Sequence, residues 1–276
     1  MRTFLVALLV VLAGCSGVPV VQPEESTETV TPIPERSPAP SYPPGMTDRG
    51  VEAPDVTASA HADRLAETSY TLSSNRSVRA NGTMKSFFSV RVALDDERNY
   101  HTRARTNGPD GPEFLGRPPA TAEFWSDGET HLRKLTRDGE TTYDELESGP
   151  GRVSTWRYWT RTAPFGDRQG SVFRTVRDVM ESFVWRIDTE RTGDTTQYRL
   201  EADEYTSTAF APSEVTDVRN VTASATVTQS GLVRSIHMRY IGTIDGETVL
   251  VERTIRYENV GNTSIERPEW YDRAKD

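Results

Sequence analysis

Beyond Tyr70, apolar and polar positions alternate with a period of two. Tyr70, Leu72 and Val78 precede Asn81-Gly82, and Met84, Phe88, Val90, Val92 and Leu94 follow it, which predicts an antiparallel hairpin turned by the Asn-Gly pair. A third strand, 98–105, follows the acidic turn Asp95, Asp96, Glu97. Phe124-Trp125 and His131 to Thr136 flank Asp127-Gly128, another hairpin turns at Asp138-Gly139 before Tyr143, and Gly193-Asp194 divides Trp185–Ile187 from Tyr198–Leu200. The last third is the plainest. Val221, Ala223, Ala225 and Val227 alternate with Thr and Ser; Leu232, Ile236, Met238, Tyr240 and Ile244 follow Ser230-Gly231; Val249, Val251, Ile255 and Tyr257 follow Asp245-Gly246. This predicts a three-stranded meander with one apolar and one wet face, as in an antiparallel sheet covered on one side.

Three stretches change to a helical period. Asp55 is placed to cap a helix over 55–67, whose Val56, Ser59, Ala60, Ala62, Leu65 and Ala66 form a face of mostly small residues. Over 152–163, Val153, Trp156, Trp159 and Ala163 share a face, and over 171–183 Val172, Val176, Val179, Met180 and Phe183 make a stronger one. Sheet and helices together define an α+β class, with about ten strands and two or three helices on the apolar face. Between the strands lies 106–121, a Gly-rich segment with four prolines, read as a long loop at the rim of the sheet.

The chain before the folded domain differs in kind. One Arg and an apolar run from Phe4 to Leu12, too short to span a bilayer, close on Ala13, Gly14 and the only cysteine, Cys15. Leu12-Ala13-Gly14-Cys15 resembles the lipobox of exported lipoproteins, which implies cleavage before Cys15 and a lipid on its sulfur. Residues 16–54 hold nine of the seventeen prolines with Ser, Thr and Glu, a composition that favours an extended tether over a packed core. The expected organisation is a signal over 1–15, a tether over 16–54 and one domain over 55–276. The chain is then held on the outer face of the cell membrane by lipid, facing the extracellular space.

Composition narrows the chemistry. Acids number 41 against 32 Lys and Arg, and Lys occurs only at 85, 134 and 275; such Lys-poor acidic surfaces resemble those of halophilic archaeal proteins. Net charge of −9 without a basic, aromatic cluster argues against nucleic acid. With Cys15 given to lipid, no disulfide staples the domain. The chain has no Gly-x-Ser-x-Gly elbow, no His-Glu-x-x-His and no phosphate loop, and His61, His101, His131 and His237 stand apart, so no metal, cofactor or catalytic group is expected. Acid pairs within 95–97, 144–145 and 203–204 have the composition of a glycoside-hydrolase pair but sit in turns of an acidic chain, where solvation explains them. His61 and His237 read as packed or solvated side chains. Asn-x-Ser/Thr sequons at Asn75, Asn81, Asn220 and Asn262 fall beside turns or on wet faces and are candidate glycosylation sites.

SAHADRLAETSYTL at 59–72, FWSDG at 124–128, GLVRSIHMRYIGTIDG at 231–246 and GNTSIERPEWYDRA at 261–274 resemble an uncharacterised family of haloarchaeal lipoproteins. More distantly, a lipid-anchored domain of strands, central helices and a closing meander is similar to the LolA and LolB carriers and to the LppX and LprG lipoproteins. That likeness implies a strongly curved antiparallel sheet, a half-barrel wrapped around two or three helices, with an apolar cavity for acyl chains. The apolar face exceeds the helical cover available, which points to an unfilled cavity lined by Trp156, Trp159, Phe173, Val176 and Met180, with loop 106–121 at its mouth. Ordinary packing also accounts for Trp156 and Trp159. The leading reading is a module for a lipid or other hydrophobic ligand; the alternatives are a non-catalytic component of the cell envelope and, more distantly, a hydrolase using paired carboxylates.

Replacing Cys15 by Ser is expected to abolish lipid attachment and release the chain from the membrane, because no other segment supplies an anchor. Intact-mass measurement and membrane fractionation check this; an unchanged mature mass with unchanged membrane association refutes it.

Overall fold

The computed structural model describes residues 41–147, 155–166, 170–192 and 195–276. The readings on Cys15, on the export signal, on most of the tether and on Val153 lie outside them. Folded structure begins before residue 55. A tight hairpin of β1 (Met46–Thr47) and β2 (Gly50–Val51) precedes α1 (Pro54–Ala66), with Met46 buried. Gly50, at φ 124°, presses so closely on Trp185 that a Cβ there would stand 2.6 Å from the Trp185 carbonyl oxygen.

Helix α1 starts with Pro at its first position, where φ is already set and no donor is lost, and Asp55 sits in the first turn rather than at the cap, which is Ala53. Its buried stripe is Thr57, Ala58, His61, Ala62 and Leu65, turned from the face expected, and Val56 is exposed. Hydrogen bonding explains the turn. Thr57 Oγ1 donates to the Pro44 carbonyl at 2.9 Å, and the Val233 amide donates to His61 Nδ1 at 3.2 Å, while His61 Nε2 is buried without a partner.

The remaining strands are β3 (Tyr70–Ala80), β4 (Thr83–Leu94), β5 (Tyr100–Asn107), β6 (Ala120–Ser126), β7 (His131–Arg137), β8 (Glu140–Glu145), β9 (Arg186–Thr192), β10 (Thr195–Ala202), β11 (Thr216–Thr228), β12 (Val233–Ile244) and β13 (Glu247–Glu258). They form one antiparallel sheet in the order β8-β7-β6-β5-β4-β3-β13-β12-β11-β10-β9. Two meanders are thus fused where β3 pairs with β13, from Thr71 opposite Glu258 to Arg79 opposite Leu250. Asn81-Gly82, Asp138-Gly139 and Asp245-Gly246 each place both residues at positive φ, the two-residue turn that matches strand twist. Asp127-Gly128 differs: Asp127 Oδ1 instead accepts the amides of Glu129 and Thr130 in a longer connection.

Strands β8 and β9 are the two edges of the sheet, and the chain between them contains α2 (Thr155–Thr162) and α3 (Ser171–Ser182). The helices therefore lie on the face that the chain must cross to return from one edge to the other. That face carries a continuous register row, Leu200, Ala225, Ile236, Ile255, Ser74, Val90, Ala104, Ala122 and Leu135, every member buried. The next row along the strands runs Ala202, Ala223, Met238, Arg253, Arg76, Phe88, Thr106, Ala120. Helices α1 and α3 pack against each other, and their buried side chains join those of the sheet in one core. The opposite face is wet except at one end, where the C-terminal segment and α4 (Tyr271–Lys275) cover Trp125 and Leu132 with Trp270 and Ala274. The Trp125 Nε1 donor bonds the Glu266 carbonyl at 3.0 Å and fixes that segment.

His61 stacks edge-on against Tyr257 at 4.7 Å between ring centres, and burial pulls its pKa from 6.5 down to about 3. The unfolded chain therefore takes up a proton below pH 6.5 that the folded chain refuses, so stability falls on acidification by about 1.4 kcal/mol per pH unit down to about pH 3. In His61→Gln, whose side-chain oxygen still accepts the Val233 amide, denaturant midpoints between these limits are expected to vary less with pH, by one proton's slope. An identical slope in both proteins refutes the assignment.

Candidate ligand-binding site

The long connection between β5 and β6 folds back over the helix-covered face. Gly108, at φ 91°, lies where a Cβ would meet the Lys85 carbonyl oxygen at 2.3 Å, and the Asp110 amide donates to that oxygen at 2.9 Å, so the loop is pinned to β4. Its only adjacent apolar pair then divides: Leu115 is buried, and Phe114 is 36 % exposed. Phe114 meets Phe88 edge-on at 5.1 Å and lies 6.2 Å from Tyr158 and 6.4 Å from Trp159. Beneath it is a pocket of about 300 Å³ lined by Phe114, Leu115, Gly116, Phe124, Arg133, Leu135, Arg137, Thr155 and Tyr158.

This layer contains buried polar atoms without partners. Tyr158 Oη, Trp159 Nε1, Thr102 Oγ1 and Thr106 Oγ1 make no hydrogen bond. Burial raises the Tyr158 phenol to about 12. Nearby, the Tyr100 hydroxyl bonds Thr155 Oγ1, which lies 3.3 Å from His131 Nδ1; burial likewise raises Tyr100 to about 12, against the effect of the Thr155 and Ser126 hydrogen bonds. The wall thus holds neutral hydroxyls and aromatic rings, suited to burying an apolar body beside hydrogen-bonding groups.

The five side chains expected to line a cavity all belong to the apolar layer between sheet and helices. Trp159 is fully buried, 5.0 Å from Phe124 and 5.1 Å from Tyr158, directly behind the pocket. Trp156 is half-buried against Tyr100 and Phe165; Phe173 is half-buried under the Arg177 guanidinium; Val176 and Met180 are in the core. Sequence reasoning weighed Tyr158 with Trp156 and Trp159 between ordinary packing and ligand contact, and did not single out Phe114, Leu115 or Leu135. The available signal was the apolar pair Phe114-Leu115 inside a Pro- and Gly-rich loop.

Asn75, Asn81, Asn220 and Asn262 are all exposed. The acid pairs are engaged in turns and ion pairs: Asp95 accepts from Asn99, Asp144 pairs with Arg133 at 2.9 Å, and Asp203 with Arg186 at 2.9 Å. His237 is exposed and lies 3.1 Å from Thr254 Oγ1. Among the described residues no group of three or more His, Cys, Asp or Glu is arranged to hold a metal ion, and no helix is long and apolar enough to cross a membrane.

On the opposite face, two grooves of about 370 and 460 Å³ share Arg103, Glu123 and Lys134. Glu123 is their hub, with Lys134 Nζ at 3.1 Å, Arg103 Nε at 3.2 Å, His101 Nε2 at 3.1 Å and Trp270 Nε1 at 3.3 Å. Burial pushes its pKa up, but the hydrogen bonds from Lys134, Trp270 and Arg103 outweigh it and bring the value down to about 2. Desolvation, then Arg103, draw His101 down despite Glu123, which favours a neutral ring.

An open antiparallel sheet with helices on one face and a small apolar pocket beneath a loop is the class of domain these observations define. The chain belongs to DUF7537, a family of unknown function whose model matches residues 1–274. Comparison with curated proteins gives no match. Among solved structures the chain is similar to LprF from Mycobacterium bovis, at 10% identity and TM-score 0.34 over 78% of this chain and 96% of that one. It is also similar to a DUF1329 family protein from Desulfovibrio piger, at 12% identity and TM-score 0.26 over 82% and 97% of the two chains. The LolA superfamily protein NE2245 from Nitrosomonas europaea follows at 10% and 0.23, over 76% and 93%. These are likenesses of outline, and no function is carried over from them.

Because the Glu123 pKa is depressed from 4.5 to about 2, its contribution to stability is complete above pH 4.5 and is lost as the pH falls toward 2. Glu123→Gln is therefore expected to unfold at lower denaturant than the wild type at pH 7 and to converge with it near pH 2. Equal midpoints at pH 7 refute the hub.

Proposed function

We propose that the chain is an exported lipoprotein, anchored through Cys15 on the outer face of the membrane, whose domain holds a lipid or other hydrophobic ligand between the sheet and α2. The observation that supports this is the apolar pocket under Phe114, floored by Phe124 and Leu135 and backed by Trp159. Its volume of about 300 Å³ is at the lower bound for a small-molecule site, so a long chain enters by lifting the 108–117 segment. Trp156, Phe173, Val176 and Met180 continue the apolar layer behind Trp159, and a larger ligand extends along them. A half-barrel curvature of the sheet fits this reading: Tyr257 Oη donates to the Pro164 carbonyl at 2.5 Å and Tyr70 Oη accepts the Gly166 amide at 3.1 Å, while Tyr100 and Phe124 reach α2. Binding is by burial and shape, at about 25 cal/mol per Å² of apolar surface removed from water. A second reading, a non-catalytic envelope component, is favoured by the filled core around α3 and by the charged cluster around Glu123 on the opposite face. The four exposed sequons suit glycans on either reading.

The test is saturable binding of a fluorescent fatty acid in high salt. Wild type is expected to bind it, and Leu135→Trp, which fills the pocket, to bind at least about tenfold more weakly with its fold retained, as judged by circular dichroism. Wild-type binding no tighter than that of an unrelated acidic protein refutes the carrier reading and leaves the envelope component.

A further inference from the structure

The second register row on the helix-covered face is apolar until it reaches β13 and β3. There Arg253 stands directly opposite Arg76, with Met238 beyond one and Phe88 beyond the other. Their strand neighbours on the same face, Val251 and Ile255, Ser74 and Val78, are buried. Like charges facing across a ladder repel, and a guanidinium taken out of water needs a counter-ion and acceptors for its hydrogens.

Those acceptors are largely missing. Arg76 Nη2 donates to Glu214 at 3.1 Å, but Arg76 Nε is buried and unpartnered. Arg253 has neither a hydrogen bond nor an ion pair among the described residues. Asp178 on α3 attracts it at a distance, with its Oδ1 already taken by Arg177 at 2.7 Å. Burial and the nearness of Arg76 pull the Arg253 pKa below its ordinary value, with Tyr240, Tyr257 and Asp178 opposing. The Tyr240 phenol, raised to about 12 by burial, lies within electrostatic reach of both arginines. A cavity of about 480 Å³ opens beside Arg76, walled by Val78 and Val249 on its apolar side and by Lys85, Asp110, Glu214, Asp245 and Glu247 on its polar side. On its other side Arg76 is opposite Phe88, which touches Phe114 over the apolar pocket. From β3 to Leu135 on β7 is four strand spacings, about 19 Å, the reach of a long acyl chain.

We propose that Arg253 and Arg76 bind the anionic head group, carboxylate or phosphate, of an amphiphile whose apolar tail runs past Phe88 and Phe114 toward Leu135. Two planar guanidinium forks match the oxygens of one such group, and the ligand supplies Arg253 with the counter-ion that the fold gives only to Arg76. This rests on the carrier reading and adds to it the class of ligand.

Displacement of a fluorescent fatty acid from the full chain carrying Cys15→Ser, by dodecyl phosphate, dodecanol and inorganic phosphate, tests it. Wild-type Arg253 is expected to favour dodecyl phosphate over dodecanol on the order of tenfold. Arg253→Met is expected to erase that preference, keep the dodecanol affinity and melt no lower than the parent without ligand, because it removes a half-buried charge that has no partner in the fold. Arg253→Lys is expected to keep part of the preference. Equal affinities for dodecyl phosphate and dodecanol overturn the head-group site while the carrier reading stands; no binding of either overturns both. Inorganic phosphate binding as tightly as dodecyl phosphate assigns the arginines to a free anion and overturns the amphiphile. A large loss of stability in Arg253→Met makes Arg253 structural, and the wild-type comparison, which needs no variant, then decides alone.

Discussion

The structure depends on one constraint: an eleven-stranded sheet has a single apolar face to bury, and the chain must cross that face to travel from its first edge to its last. Placing α2 and α3 in that crossing makes the connection and the core the same object. The aromatic side chains of α2 meet the first meander, while α3 and α1 cover the second. The same economy explains why polar atoms are left unsatisfied where α2, loop 106–121 and β5 meet: three elements with different periodicities converge there, and their hydrogen-bonding groups do not all find partners.

Most of the sheet was legible because period-two alternation and Asn-Gly or Asp-Gly turns act locally. Strands β3, β4, β11, β12 and β13 fall where Leu72, Val92, Ala225, Ile236 and Ile255 placed them. What was not legible depends on contacts far apart in sequence. The turn of α1 toward Thr57 and His61 follows from acceptors and donors on Pro44 and Val233, which no helical pattern reveals. The β1–β2 hairpin hides inside a Pro-rich stretch, because two-residue strands carry no periodicity. Trp270 reads as an isolated aromatic until Trp125 and Leu132, more than a hundred residues earlier, are seen to need cover.

The site was read in part. Trp156 and Trp159 belong to the layer around the pocket, but period alone does not separate a side chain that lines a space from one that supports it. Arg253 and Arg76 show the same limit from the polar side. In sequence each is one more arginine in an arginine-rich chain. Only register places them opposite each other on the buried face, where a charge is costly enough to require an account.

The fusion of the meanders at β3 and β13 also bears on how the protein is made. Thr71 pairs with Glu258 and Arg79 with Leu250, so the central ladder joins residues about as far apart as the domain allows. A chain that emerges N-terminus first completes β3 to β8 while β3 remains a bare edge, and that edge stays open until nearly the last strand has appeared. Local hairpins form early, and the contact that makes one sheet of two forms last. During that interval the half-built sheet exposes both its apolar face and an unpaired strand, the state in which it is most exposed to aggregation and most dependent on cellular help.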